Sequence, residues 1–332
     1  MAVKTQDTPA LTRLQSVAID QAVAALAMGG VVAMPTETVY GLAADVMHPG
    51  ALTRVYTLKQ RPAGHPLIVH VGHQDEIEKW ATDVPALAHR AVAQFWPGPL
   101  SIVLKRDRKV SDLVTGGQDT VALRMPSHPV ALELLRRFSL SHSGALAAPS
   151  ANRYGRISPT RIEHVESEFR VGVQVFIDGG PCERGIESTI LDLSRDRPYL
   201  LRPGSISREQ LSACLDMEVL LPDGHAPRVP GSTLSHYAPV TPTILCSPAE
   251  LEAKLSDRRD LDVGVFALRD AFCEGLVWLR APDDAEDYAR VLYAGLRQLD
   301  RAGLDYILVE APPLASEWAA IHDRLTRACA RK

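Results

Sequence analysis

Nothing in the 332 residues matches C-x-x-C, H-E-x-x-H, G-x-S-x-G, G-x-x-x-x-G-K-[ST] or a spaced G-x-G-x-x-G. Each absence closes a route. The five cysteines, Cys182, Cys214, Cys246, Cys273 and Cys329, stand far apart, which argues against a thiol-rich zinc site or redox motif and fits reduced thiols. Scattered histidines give no tight zinc-ligand set. Without a nucleophile elbow, Ser-His-Asp hydrolysis has no support. A bound nucleotide would have to be held without either of the two best-known glycine loops. The start, "MAVKTQDTPALTRLQ", lacks the apolar core of a signal peptide, and no run approaches a membrane span. The expectation is a cytoplasmic protein with no membrane partner. Charge of one sign is lacking too: 36 Lys and Arg against 40 Asp and Glu leave a net charge of -4, with no overall pull toward nucleic acid. A local basic pocket stays compatible with that average.

What is present is an ordinary globular composition, 46% hydrophobic and 23% charged, long enough for two domains with their own cores. Apolar spacing predicts a helix over 11–28, stopped by Gly29-Gly30. "VVAM" reads as a buried strand running into "PTETVYG", with Tyr40-Gly41 as a turn. A helix over 51–60 is ended by Pro62, and "PLIVHV" reads as a strand. Helical patterns at 75–82 and 85–96 precede the strands "PLSIVLKR" and "TVALRMP". "HPVALELLRRF" predicts a helix, "GALAAPS" a strand and "TRIEHVESEF" a helix. "VQVFIDGG", "STILDLS" and "PYLLRPG" read as strands, and "SREQLSACL" closes the segment as a helix. Irregular mixing of strands and helices points to a mixed α/β (α+β) sheet.

Residues 221–242 are dense in proline and glycine and keep no apolar period, as a linker does. The division is therefore 1–220, a linker 221–242, and 243–332. The last part alternates "TILC", "PAELEAKLSD", "VGVFAL", "LVWLR", "AEDYARVLYAGLRQLDRAG", "YILVEA" and "EWAAIHDRLTRACAR", a small Rossmann-like α/β domain.

Polar residues punctuate the strand ends. Lys59 and Arg61 would not share a face of a continuous helix. Pro62 pushes Arg61 toward extended geometry, so the two cations could meet around one anion. Basic residues at a helix C-terminus also need no ligand, since the dipole favours them. Arg124 falls on the Ala122 side of its strand, and Arg202 on the Leu200 side of its own. Two arginines at strand ends before proline raise the case for a shared anion site. Ser150, Asn152, Ser158 and Ser188 sit in open loops that could cradle phosphate or ribose, or simply form turns. His70 ends its strand on the Ile68 side. Glu37 stays unassigned between a base and a solvated or structural carboxylate. Together these side chains suit a substrate carrying phosphates and a carboxylate, which arginine forks match bidentately.

In order along the chain, "MPTETVYGLAAD", "LKQRPAGHPLIVHV", "FWPGPLSIVL", "TVALRMPSHP", "APSANRYGRISPT", "GIESTILDL" and "LLRPG" resemble the threonylcarbamoyl-adenylate synthase family. "PGSTLSHYAP" in the linker matches its longer, two-domain form. The resemblance covers residues from about 15 to 240 and implies a YrdC-like twisted mixed sheet with a positively charged concave cleft. It implies formation of threonylcarbamoyl-AMP and pyrophosphate from L-threonine, bicarbonate and ATP, with Mg2+ on the ATP phosphates and no certain protein ligand to it. The product would supply a tRNA-threonylcarbamoyl transferase complex, with weak tRNA binding as a further possibility. On the threonine side the resemblance places Thr36, Thr38, His70, Arg124, Ala148 and Ser188. On the ATP side it places Lys59, Arg61, His65, Thr120, Ser150, Asn152, Ser158, Arg202 and Tyr237. The resemblance further implies Lys59, Arg61 and Arg202 as the catalytic cations and Tyr237 as a residue folding over the cleft. His65 stands where the family often has asparagine. The linker also lacks the Met-Lys that many members carry after the glycine. Two other readings compete: a carbamoyl-transfer module of hydrogenase-maturation type, and a tRNA- or double-stranded-RNA-binding module.

Overall fold

The computed structural model describes residues 11–233, 235–258 and 261–330. Nine strands form the first sheet: β1 Val32–Met34, β2 Gly41–Asp45, β3 Ile68–Val71, β4 Leu100–Lys105, β5 Thr120–Arg124, β6 Ala145–Ala147, β7 Val175–Phe176, β8 Thr189–Asp192 and β9 Tyr199–Arg202. Their order across the sheet is β7-β1-β2-β6-β3-β5-β4-β8-β9. β7 with β1, β3 with β5 and β4 with β8 run parallel, while the other neighbours are antiparallel. The expected mixed sheet is therefore present. A second sheet, wholly parallel, holds β10 Thr243–Cys246, β11 Val263–Ala267, β12 Val277–Arg280 and β13 Tyr306–Glu310 in the order β10-β13-β11-β12.

β2 departs from expectation, because Gly41 opens a strand where the sequence suggests a turn. Its "GLAAD" is short and alanine-rich, so propensity gives no strand signal. Burial and pairing decide it instead: Met34 lies opposite Gly41 and Val32 opposite Ala43. The turn proper is Pro35–Tyr40. The expected helix over 75–82 is shorter as well, a 3-10 turn at Gln74–Glu76 followed by Ile77–Trp80.

Two-residue alternation sorts the strand side chains by face. Val69, Leu123, Ile102 and Leu191 pack into the large core, which the helices Ala86–Phe95 and Arg208–Leu215 cover. Ile68, Ala122, Val103 and Ile190 point the other way and form a small apolar floor with Val229. That second face is the floor of the cleft. The linker crosses it, and the second domain closes its side. Val39, Ile157, Ile186 and Tyr237 share one apolar cluster with Tyr288, Leu292 and Tyr293 of the helix Ala285–Asp300. Gly185 marks how close the two parts come: its φ is 73°, and a Cβ there would lie 2.4 Å from the Arg290 Cα.

Candidate active site

Three arginines line the cleft and Lys59 lies behind it, each delivered by a specific local device. The helix Pro49–Lys59 ends at Gln60, which adopts the left-handed region with φ of 53°. This turn, rather than Pro62 alone, swings Arg61 off the helix axis while Lys59 remains on its last residue. Both are buried, Lys59 at 1% exposure. Lys59 Nζ donates to the carbonyls of Ser150 and Asn152 at 2.5 and 2.6 Å. Arg61 Nη2 donates to the Pro66 carbonyl at 2.9 Å, and its guanidinium lies 5.8 Å from the Tyr154 ring centroid.

Arg202 arrives by a route that alternation misassigns. Leu200 pairs with Leu191 and packs in the large core. A register shift between Ile190 and Leu191 then brings Arg202 opposite Ile190, which belongs to the cleft floor. Directly opposed residues share a face, so the bulge moves Arg202 off the Leu200 side and into the cleft. There Nε and Nη2 donate to the Ser188 carbonyl at 3.0 and 2.9 Å, and Nη1 donates to the Pro230 carbonyl of the linker at 2.9 Å.

Arg124 obeys simple alternation, with His70 directly opposite it on β3. It is the one cation of the four with a carboxylate partner: Nη2 lies 2.6 Å from Glu37 Oε1. Glu37 is 2% exposed and also accepts from the Ser127 amide at 3.2 Å. The carboxylate is thus structural rather than solvated. Among the described residues Lys59, Arg61 and Arg202 make no ion pair with a carboxylate within 4 Å. Burial pushes the Lys59 ammonium well below its ordinary range, and Arg61 pushes it further. Burial also lowers Arg61 and Arg202. Buried basic groups without a paired carboxylate are costly to keep charged, which is why all three are shifted down.

The turn Pro35–Tyr40 supplies hydroxyls. Thr36 Oγ1 donates its proton to the Val39 carbonyl at 2.6 Å and accepts from the amides of Thr38 and Val39. With that proton committed, the 2.9 Å bond between the two threonine hydroxyls has Thr38 as donor. Thr36 therefore shapes the turn, and Thr38 offers free lone pairs. His70 Nδ1 donates to the Ile68 carbonyl at 3.2 Å, and burial followed by Arg124 drives its pKa down to about 3, so it is neutral. Ser188 Oγ lies 2.8 Å from Ser101 Oγ and accepts from Arg202.

These groups border a narrow, partly open cavity. Of the expected site residues, Thr36, Thr38, His70, Arg124, Ala148 and Ser188 line it, as do Arg61, Ser150, Arg202 and Tyr237. The linker forms its roof through Pro230, Gly231, His236 and Tyr237. Tyr237 has φ of 61° and is 1% exposed, and its ring stacks 5.7 Å from that of Tyr293. Arg61 Nε, His236 Nδ1 and Tyr237 OH are buried without a hydrogen-bond partner among the described residues. His236 is held neutral, its pKa lowered to about 3 by burial and by Arg61, Lys59 and Arg202.

Five expected contacts lie outside the cavity lining. Lys59 sits behind Ser150, as described. Asn152 Nδ2 donates to the Arg153 and Arg156 carbonyls, and its Oδ1 is buried without a partner. His65 is half-buried, 3.3 Å from the Tyr154 hydroxyl. Thr120 borders a separate surface hollow with Lys105 and Arg106. Ser158 is fully buried, its Oγ donating to Glu187 at 2.5 Å, so that hydroxyl faces a carboxylate rather than a ligand.

A family model described as "Telomere recombination", covering Sua5, YciO and YrdC proteins, matches residues 24–204. One described as "Threonylcarbamoyl-AMP synthase, C-terminal domain" matches residues 206–330. The threonylcarbamoyl-AMP synthase of Pyrococcus abyssi is 37% identical over 90% of this chain and 90% of that one. That of Bacillus subtilis is 36% identical over 93% and 92%. The chain belongs to the threonylcarbamoyl-AMP synthase family. Among solved structures, P. abyssi Sua5 complexed with L-threonine superposes with a TM-score of 0.86 at 35% identity, covering 94% of each chain. A P. abyssi Sua5 variant with an adjacent histidine and tyrosine changed to alanine gives 0.87 at 33% identity, covering 96% of this chain and 94% of that one.

The arrangement in this member of the synthase family includes residues that sequence reasoning passed over. Glu187 lines the cavity, and the second domain supplies its partners, Tyr293 and Arg324. Arg297 reaches the Ile157 carbonyl and pairs with Glu168 at 2.5 Å, pinning the loop that follows Ser150. A signal existed: Arg324 falls within the apolar stripe Ile321, Leu325, Ala328, and Arg297 beside Tyr293 and Leu296, where a helix on water would carry neither.

Proposed function

We propose that this protein is an L-threonylcarbamoyladenylate synthase, joining L-threonine, bicarbonate and ATP into threonylcarbamoyl-AMP, pyrophosphate and water. The observation that carries the reading is the convergence of Lys59, Arg61 and Arg202, buried and without carboxylates, beside a cavity with a separate hydroxyl-lined end. The amine of threonine adds to bicarbonate and expels water, leaving a carbamate. A carbamate oxygen then attacks the α-phosphorus, and pyrophosphate leaves with the P–O bonding pair. Neither step needs a covalent enzyme intermediate, so the chain's task is placement and charge neutralisation.

Arg124 and the Thr38 hydroxyl hold the threonine, with Ser188 and neutral His70 beside them and Ala148 limiting the space. Arg61 and Arg202 take the phosphates, with Lys59 and Ser150 behind. His236 and Tyr237 exclude water from an adenylate that water would cleave. Mg2+ on the triphosphate would add neutralising charge there. The product is a substrate for a tRNA-threonylcarbamoyl transferase.

The test is pyrophosphate release with threonine, bicarbonate and ATP omitted in turn. Release that needs all three supports the reading, and release from ATP alone at the same rate refutes it.

A further inference from the structure

The cavity contains a carboxylate that works against an anion site. Glu187 lines the same cavity as Arg202, whose guanidinium sits on the carbonyl of the next residue, Ser188. A free Glu187 so close would neutralise Arg202 and repel phosphate. It is not free. Oε2 lies 2.8 Å from Arg324 Nε and accepts from the Tyr293 hydroxyl at 2.9 Å, while Oε1 accepts from Ser158 at 2.5 Å. Arg324 is 1% exposed and also meets Asp323 at 2.6 Å, and Asp323 is held in turn by Arg327 at 2.9 Å. Two second-domain cations thus face two carboxylates, and among the described residues Glu187 makes no ion pair with Arg202 within 4 Å.

We propose that Arg324 is a positioning residue that holds Glu187 away from Arg202, so that the charge of Arg202 stays open to the phosphates of the nucleotide. This deepens the reading of the cavity as an ATP site and rests on it. It gives the second domain a role in the chemistry of the first, with a polyphosphate as the ligand served. Burial pushes Glu187 up, and Arg324 is the largest counter-charge, ahead of Arg202 and the Ser158 bond, in holding it at about 2.

The experiment measures binding of ATP, tripolyphosphate and L-threonine to the full chain by calorimetry, for the parent, Arg324→Met, Glu187→Gln and the double variant. Arg324→Met is expected to weaken ATP and tripolyphosphate by about tenfold or more and leave threonine within about twofold. The double variant is expected to regain parental ATP affinity, because the carboxylate that Arg324 restrained is gone. A role in packing alone predicts no rescue. Parental ATP affinity in Arg324→Met, or an unrescued double variant, overturns the proposal. Should Arg324→Met lose its thermal transition, Glu187→Gln decides: ATP bound as tightly as by the parent or tighter sustains the proposal, and looser binding sinks it. A parent that binds tripolyphosphate but not ATP overturns the nucleotide reading while the Arg324 comparison still runs on tripolyphosphate. A parent that binds neither overturns both.

Discussion

Arg202 grips the linker: its Nη1 donates to the Pro230 carbonyl at 2.9 Å while its other two nitrogens hold Ser188. One guanidinium thus joins the cleft floor to the roof. Replacing it removes the latch and, on the proposed reading, a phosphate contact. Arg202→Ala is expected to lower pyrophosphate release by about 100-fold or more, the usual cost of one charge-stabilising donor. Arg202→Lys should recover only part, because an ammonium lacks the fork. Release in Arg202→Ala within threefold of the parent would show that this guanidinium is not part of the anion site.

Gly231 has φ of 83°, and a Cβ on it would lie 2.1 Å from the Tyr237 hydroxyl. Gly231→Ala therefore combines backbone strain with a clash that Tyr237, stacked on Tyr293, has little room to relieve. The expectation is a displaced linker, faster protease cleavage within 221–242, and less threonylcarbamoyl-AMP recovered per ATP consumed. Cleavage and yield equal to the parent's would show that the roof tolerates a side chain there.

Glu37 and Arg124 are both nearly fully buried and 2.6 Å apart. Removing one partner leaves an unpaired buried charge. Glu37→Ala should cost about 3–5 kcal/mol of stability, read from chemical denaturation. A loss under about 1 kcal/mol would mean the pair is not formed in solution.

Acid should loosen this protein well above the carboxylate range. His70 and His236 are neutral in the fold, their pKa values lowered to about 3 by burial first. The unfolded chain takes up protons at both near pH 6.5 and the native chain does not. Unfolding free energy should then fall as pH drops below about 6.5, these two sites alone contributing up to about 2.7 kcal/mol per pH unit and His164, also lowered to about 3, adding to it. The loss continues until the native histidines protonate near pH 3. Denaturant midpoints between pH 7.5 and 5 test this, and a flat profile would refute the neutral assignment.

The sequence made the strands, the mixed sheet and the cations legible because burial and alternation are local signals. It misread the face of Arg202, since a bulge set by the β8–β9 pairing cancels the two-residue count. β2 was hidden because alanine and glycine carry little strand preference and only tertiary burial selects them. Ser158 looked like a phosphate ligand because a hydroxyl in an open loop has no visible partner until Glu187 is placed beside it. The roles of Tyr293 and Arg324 depend on contacts between residues more than 100 positions apart. No spacing rule reaches that far.

The apolar seam that joins Val39, Ile157 and Ile186 to Tyr288, Leu292 and Tyr293 bears on how the molecule melts. Neither domain can unfold without stripping cover from the other, so the two sheets should melt together in one calorimetric transition. The cavity sits on that seam, and ligands that tighten it should raise the melting temperature of the whole chain at once.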